Sequence, residues 1–370
     1  MILPAFLAGL AVARRWGLGW GVVAAYAFYV VFSLSSWAGA ALTAALIVLA
    51  RGVYWDKVLG LGLLVSIAKF VAVPLALGKV VPYYEALWYA MGASPTWRTY
   101  APLTYLPGLP PLQLAVEGSL FVVLTTTLAS RALAEVWGRR AVLWPLLATE
   151  PLYFGHWNAA LPLVWAAAYF AARRSYAGVI ASALLAAGFH IYGGLMALLV
   201  AALLGVWQAL LLALLVIALP QSRILFALAH GALSNITAAP VAGLERLLHW
   251  APFWLAKIAA EGAVLLAATA YAGRLAVIPL LGTAAGFALA AGRPDFGGYA
   301  YKHFLLVLPF SAARMDKKLL WALAAASLFP FLVAIHFFGL SWSWAVYYAS
   351  TGNLSTGPIP ESYRVIYGYS

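Results

Sequence analysis

Apolar runs at 17–35, 38–52, 58–78, 119–134, 141–155, 158–172, 177–192, 195–219, 224–241, 252–272, 275–292, 299–313 and 319–340 take up most of the 370 residues. Each is long enough, or nearly long enough, to cross a hydrocarbon core of about 30 Å. Little polar sequence remains between them to make a water-facing surface, since 65% of the chain is hydrophobic and only 9% charged. At a mean hydropathy of +0.94 a soluble domain is excluded. The runs predict an all-α polytopic membrane protein, a bundle of roughly 11–13 transmembrane helices in which the shorter runs are broken or re-entrant.

The charge pattern fits that reading. Twenty-two Lys and Arg against ten Asp and Glu give a net charge of +12, which in a soluble protein would suggest nucleic acid. Here the basic residues are spread through short turns, which is the topology signal of membrane proteins, and nucleic-acid binding is not expected. With Arg14 and Arg15 on the cytoplasmic side, alternating spans place Arg51, Lys57, Arg131, Arg139, Arg140, Arg173, Arg174, Arg223, Arg274, Arg314, Lys317 and Lys318 on that side too. Only Lys79, Arg98, Arg246, Arg293, Lys302 and Arg364 fall outside. Cys is absent, so the chain has no disulfide framework, thiol nucleophile or thiolate metal site. Residues 1–13 read as a retained, part-spanning segment because their basic residues follow the apolar stretch. The basic turn Arg51–Lys57 sets off residues 1–57 as extra N-terminal spans from a main membrane domain at 58–370. The lack of Cys, the Ala/Leu richness and the short loops suit a prokaryotic cell membrane.

Residues 79–118 form the longest connection, with Gly92, Pro95, Pro102, Pro107, Gly108, Pro110 and Pro111 expected to interrupt any helix. Its rings, among them Tyr83, Tyr84 and Trp97, suit headgroup depth. A connection of that length among short turns is usually functional. The plainer reading is an interfacial helix at Tyr83–Met91 that anchors the bundle. The topology puts this loop on the extracytoplasmic face, together with the turn Glu150–Asn158, the His190–Gly194 break, the turn Arg293–Tyr299 and the tail from Ser341.

Candidate ligand-binding residues on that face are Tyr83, Tyr84, Glu85, Trp97, Arg98, Glu150, His156, Asn158, His190, Tyr192 and Asp295. Glu85 is the best-placed carboxylate for activating an acceptor hydroxyl. Glu150, His156 and Asn158 are confined between two spans, where an uncompensated polar group is costly; the alternative is an ordinary interfacial turn. His190 meets an Ala-rich run where Gly193 and Gly194 are expected to break it, and a carbonyl is its commonest partner. Lys257 and Glu261, four apart, read first as a structural pair. Lys69, inside its span, must snorkel, pair or bind an anion. No spacing for a metal site or a nucleotide-phosphate loop is present in the sequence.

Several landmarks in order resemble the GT-C membrane glycosyltransferases: Gly92-Ala93-Ser94-Pro95, then Tyr100-Ala101-Pro102-Leu103, the outer turn to Asn158, and His190-Ile191-Tyr192. The pattern is most similar to the GPI mannosyltransferase I family and to its non-catalytic relative, subunit U of the GPI transamidase. Pro252-Phe253-Trp254 through Glu261, and Leu328-Phe329-Pro330 through Tyr347-Tyr348-Ala349, resemble the latter. The mannosyltransferases carry an Asp-x-Asp just ahead of the region matching Tyr83–Glu85, whereas this chain has Gly78-Lys79-Val80-Val81-Pro82. The resemblance therefore implies a GT-C-like fold that binds a lipid-linked glycan without transfer chemistry or a cofactor, beside other membrane subunits including a protease-type partner. The alternative it implies is a mannosyltransferase with Glu85 as catalytic base and a polyprenyl-phosphate sugar as donor. A lipid or solute transporter is the third reading, for which Lys257/Glu261 is the one intramembrane pair in the sequence.

Overall fold

The computed structural model describes residues 1–49, 51–80, 101–104, 111–154, 156–218, 252–290, 297–338 and 340–341. The described chain is helical. The α-helices are α1 (Ile2–Trp16), α2 (Leu18–Leu34), α3 (Ser36–Leu49), α4 (Lys57–Ala76), α5 (Pro111–Trp137), α6 (Leu161–Ala172) and α7 (Tyr176–Phe189). They continue as α8 (Ile191–Leu203), α9 (Ala209–Ala218), α10 (Pro252–Tyr271), α11 (Val277–Ala290), α12 (Gly297–Arg314) and α13 (Lys317–Phe338). Among the described residues three helical stretches are long and apolar enough to cross a membrane: Lys57–Ala76, Gln113–Trp137 and Lys317–His336. Two short strands, β1 (Lys79–Val80) and β2 (Leu340–Ser341), pair antiparallel with Lys79 opposite Ser341.

Helix α6 lies at the centre. Every residue from Leu161 to Ala171 is buried, so this helix is apolar all round as an interior helix must be. Trp165 anchors it: the indole N–H donates to the Leu306 carbonyl at 2.8 Å, and its ring meets Trp144 edge-on at 5.0 Å. Helices α5, α7, α8 and α12 pack around α6. The N-terminal hairpin joins the same core, because Tyr26 of α2 donates to the Ala159 carbonyl at 2.5 Å and Tyr29 stacks on Phe121 at 4.4 Å.

Proline decides several local departures from the α-helix. Pro111, expected to interrupt a helix, instead starts α5, where its missing N–H costs nothing; the long connection therefore ends by residue 110 rather than 118. In α4 the Pro74 ring would meet the carbonyl four residues earlier, and the backbone widens into a π-turn at Ala68–Ala72. The run at 141–155, expected as a span, is a 3-10 segment over Arg139–Leu147 followed by irregular backbone. Pro145 and Pro151 account for this, since each removes a donor from an α-ladder. The break near His190 is also not where the glycines stand. His190 itself is extended between α7 and α8, while Gly193 and Gly194 lie inside α8. They are there for close approach: a Cβ on Gly193 would collide with the Ala160 side chain, and one on Gly194 would lie 2.6 Å from the Ala187 Cβ.

One end of the bundle carries a basic network. The Asp56 carboxylate caps α4 by accepting from the Leu59 N–H at 2.7 Å, and also accepts from the Tyr54 hydroxyl at 2.5 Å and from Arg131 Nε at 2.6 Å. Arg173 reaches Glu135 at 2.7 Å, and Arg140 and Arg314 donate to the carbonyls of Met315 and Tyr271. Part-burial works against the Asp56 carboxylate, but the hydrogen bonds from Arg131, Tyr54 and the Leu59 N–H outweigh it and hold its pKa down at about 2. A lowered carboxylate pKa stabilises the fold above the ordinary carboxylate range, and the gain is lost as pH falls through about 2. Asp56→Asn in detergent is therefore expected to be less stable than the parent at pH 7, with the gap closing as both are titrated down to about pH 2. An unchanged gap across that range would mean that the carboxylate is not held in its charged form by these partners.

The α1–α2 contact makes a second prediction. A Cβ on Gly21 would lie 2.7 Å from the Gly9 carbonyl oxygen, and one on Gly9 equally close to the Gly21 oxygen. These are backbone atoms that cannot step aside without separating the helices. Gly21→Val is expected to destabilise by about 1–3 kcal/mol, the usual range for overpacking, read as a lower melting temperature in detergent.

Candidate functional site

Buried polar groups from segments far apart in sequence meet in two places: Thr149 and Glu150 with Lys257 and Glu261, and Tyr192 with His303. The segment Thr149–Phe154 follows the 3-10 stretch and leads into a second 3-10 turn, His156–Ala160, before α6. Its first two polar residues meet α10. The Thr149 hydroxyl donates to Glu261 Oε1 at 2.8 Å, and the Lys257 ammonium lies 2.7 Å from Glu261 Oε2 and 3.8 Å from Glu150 Oε1. Lys257 is buried, with 7% of its surface exposed.

The spacing explains half of this arrangement. Lys257 and Glu261 sit one helical turn apart on one face of α10, so their pairing is local. Glu150, 107 residues away in sequence, is brought in by tertiary structure. The result is an ammonium between two carboxylates in an apolar setting, where charges persist only when paired and hydrogen-bonded. Among the described residues neither Glu150 nor Glu261 stands apart from Lys257 in the manner of a general base.

The other described candidates come from the α7–α8 junction and the second 3-10 turn. His190 is buried, and its backbone serves both helices: its N–H donates to the Ala186 carbonyl at 2.8 Å and its carbonyl accepts from the Gly194 N–H at 3.2 Å. Residues 101–104 dock on the same junction, with the Leu103 N–H donating to the Gly188 carbonyl at 2.9 Å and the Thr104 hydroxyl to the Phe189 carbonyl at 2.5 Å. Asn158 is buried, and its Oδ1 has no hydrogen-bond partner among the described residues. Such an acceptor is an expense the fold carries unless a water or a ligand hydroxyl meets it. Tyr192 is hydrogen-bonded through its hydroxyl to His303 Nε2 of α12.

Of the residues singled out in the sequence, Glu150, Asn158, His190 and Tyr192 are placed in this way. His156 lies in the second 3-10 turn, while Tyr83, Tyr84, Glu85, Trp97, Arg98 and Asp295 lie outside the described residues. The sequence did not mark Thr149 or His303, and it treated Lys257 and Glu261 as a pair without a third member. The signal that was available is the cost of a charged side chain within an apolar run, which demands a partner but does not name one. Lys69 does not snorkel: it is buried, donating to the Leu146 carbonyl at 3.0 Å and to Ser327 Oγ at 3.1 Å. Among the described residues no three His, Asp or Glu side chains come together as a metal site would require.

No family model matches the chain, and no curated protein or solved structure does either.

The cluster can be tested without knowing its ligand. Lys257→Met leaves two part-buried carboxylates without their cation and is expected to cost roughly 3–5 kcal/mol of stability. Adding Glu261→Gln to that variant removes one of the stranded charges and is expected to recover a substantial part of the loss. Thermal unfolding of the two single variants and the double gives the coupling, and additive losses would contradict a shared network.

Proposed function

We propose that this chain is a polytopic, GT-C-like membrane protein that holds a lipid-linked glycan at its extracytoplasmic face without transferring it. Its role would be that of a subunit in a GPI-transamidase-like complex with a protease-type partner. The observation that carries the reading is the Lys257 ammonium fixed between Glu150 and Glu261 beside Thr149. A sugar or a lipid phosphate offers complementary chemistry: hydroxyls donate to carboxylate and Asn158 oxygens, and a phosphate oxygen accepts from an ammonium. Engagement of both Glu150 and Glu261 by Lys257 favours holding over acid–base chemistry. The order of landmarks from Gly92 to His190 and on to Glu261 supports the GT-C comparison, while the absence of an Asp-x-Asp before Tyr83 departs from the mannosyltransferase pattern and favours holding over transfer.

The test is binding in nanodiscs to a short-chain polyprenyl-phosphate mannose, with the same lipid phosphate lacking sugar as the control. The reading expects sugar-dependent binding that Glu150→Gln weakens by about tenfold, the equivalent of one hydrogen bond to a charged group. Equal binding of both lipids would overturn it. Release of mannose onto an acceptor, abolished by Glu85→Gln, would establish the mannosyltransferase instead.

One observation favours a transporter as the second reading. Glu150 gives the Lys257/Glu261 pair a third ionisable member from a different segment, as ion-coupled carriers often require. Substrate-dependent flux in liposomes, lost in Glu150→Gln, would decide for it.

A further inference from the structure

Lys69 is a buried lysine that the proposed site does not use. It stands in the π-turn of α4, with 7% of its surface exposed, and no carboxylate meets it among the described residues. Its partners are the Leu146 carbonyl, Ser327 Oγ and the face of the Phe331 ring at 4.8 Å. A lysine kept in such surroundings without a counter-charge needs a reason.

The reason lies in what Leu146 belongs to. It is near the end of the 3-10 segment Arg139–Leu147, a long run of a helix type that rarely exceeds four residues because its hydrogen bonds are poor. Pro145 removes one more donor from it. The free end of this weak element is held from outside. The Ser327 hydroxyl of α13 shares its proton between the Leu146 carbonyl at 2.6 Å and the Ala324 carbonyl of its own helix at 2.8 Å, and Lys69 donates both to the Leu146 carbonyl and to the Ser327 oxygen, closing a triangle between α4, α13 and the 3-10 segment. The depths agree. Lys69 is twelve residues beyond Lys57 and Ser327 ten beyond Lys317, about 18 and 15 Å along their helices, and Leu146 is about 14 Å along the 3-10 segment from Arg139. Three residues after Leu146 comes Thr149, which bonds Glu261, and then Glu150, which faces Lys257.

We propose that Lys69 is a positioning residue. Together with Ser327 it clamps the Leu146 carbonyl and so presents Thr149 and Glu150 to Lys257 and Glu261. The functional weight of this clamp rests on the reading of that cluster as a binding site, but the clamp itself is testable without a ligand.

A chain without cysteine allows the test to use single reporters. Ala148→Cys places a thiol in the clamped stretch and Ser182→Cys one in α7; both parent residues are fully buried. Each reporter is combined with Lys69→Met or with the milder Ser327→Ala in the full-length protein in nanodiscs, and labelling by a membrane-impermeant maleimide is timed. The expected result is that either clamp variant speeds labelling at 148 by about tenfold or more, the effect of losing one such hydrogen bond on local opening, while 182 stays protected. Unchanged protection at 148 in both variants would overturn the proposal. Equal acceleration at 148 and 182 in both would also overturn it, showing Lys69 and Ser327 to be general packing contacts. Polyprenyl-phosphate mannose binding is measured on the same variants. Local opening with no sugar-lipid binding even in the parent would leave the clamp standing and remove the proposed function.

Discussion

A charge placed inside an apolar helical bundle has to be answered by another group, and the polar end of this protein is organised by how Lys257 is answered. Its ammonium takes one carboxylate from its own helix and a second from the turn that follows the 3-10 segment. Either carboxylate alone would leave a simple ion pair of the sort many membrane helices contain. The two together tie α10 to the approach to α6, the central helix, and fix Thr149 and Glu150 in a region of the chain that has no regular ladder of its own.

The rest of the architecture serves that irregular stretch. Helix α6 is buried on every side, and small residues let its neighbours close on it, so the core can be rigid although several of its helices are short. Trp165 and Trp144 fill the space between α6, α12 and the 3-10 segment. At the basic end, arginines answer the carbonyls left open where helices stop, as Arg314 does for Tyr271 and Arg174 for Gly205. Charge at that end thus has a structural use in addition to any part in setting orientation.

The helical class was legible in the sequence because hydropathy is a sum over many residues and tolerates local error, whereas three of the described stretches are long and apolar enough to cross a membrane and the run at 224–241 lies outside the described residues. Boundaries were less so, and proline was the main cause. Pro111, a helix breaker by residue type, begins α5, and Pro145 sits in a segment whose hydropathy suggests a span and whose backbone is 3-10. The candidate site was legible in part. Glu150 and Asn158 stood out as polar residues between apolar runs, and both are buried or part-buried in the polar region. Their partners were not legible, since Lys257 lies more than a hundred residues from Glu150 and nothing local to either names the other. Lys257 and Glu261 fitted a helical pair so well that spacing alone gave no cause to seek a third member.

The most direct measurement is photo-crosslinking with a polyprenyl-phosphate sugar carrying a photoactivatable group on the sugar, in the native membrane, followed by peptide mapping. Adducts are expected on the segment around Thr149–Asn158 and on α10 near Lys257–Glu261, competed away by the unmodified sugar lipid. Adducts confined to the basic end around Arg131 and Arg173, or labelling that unmodified sugar lipid fails to compete, would contradict it.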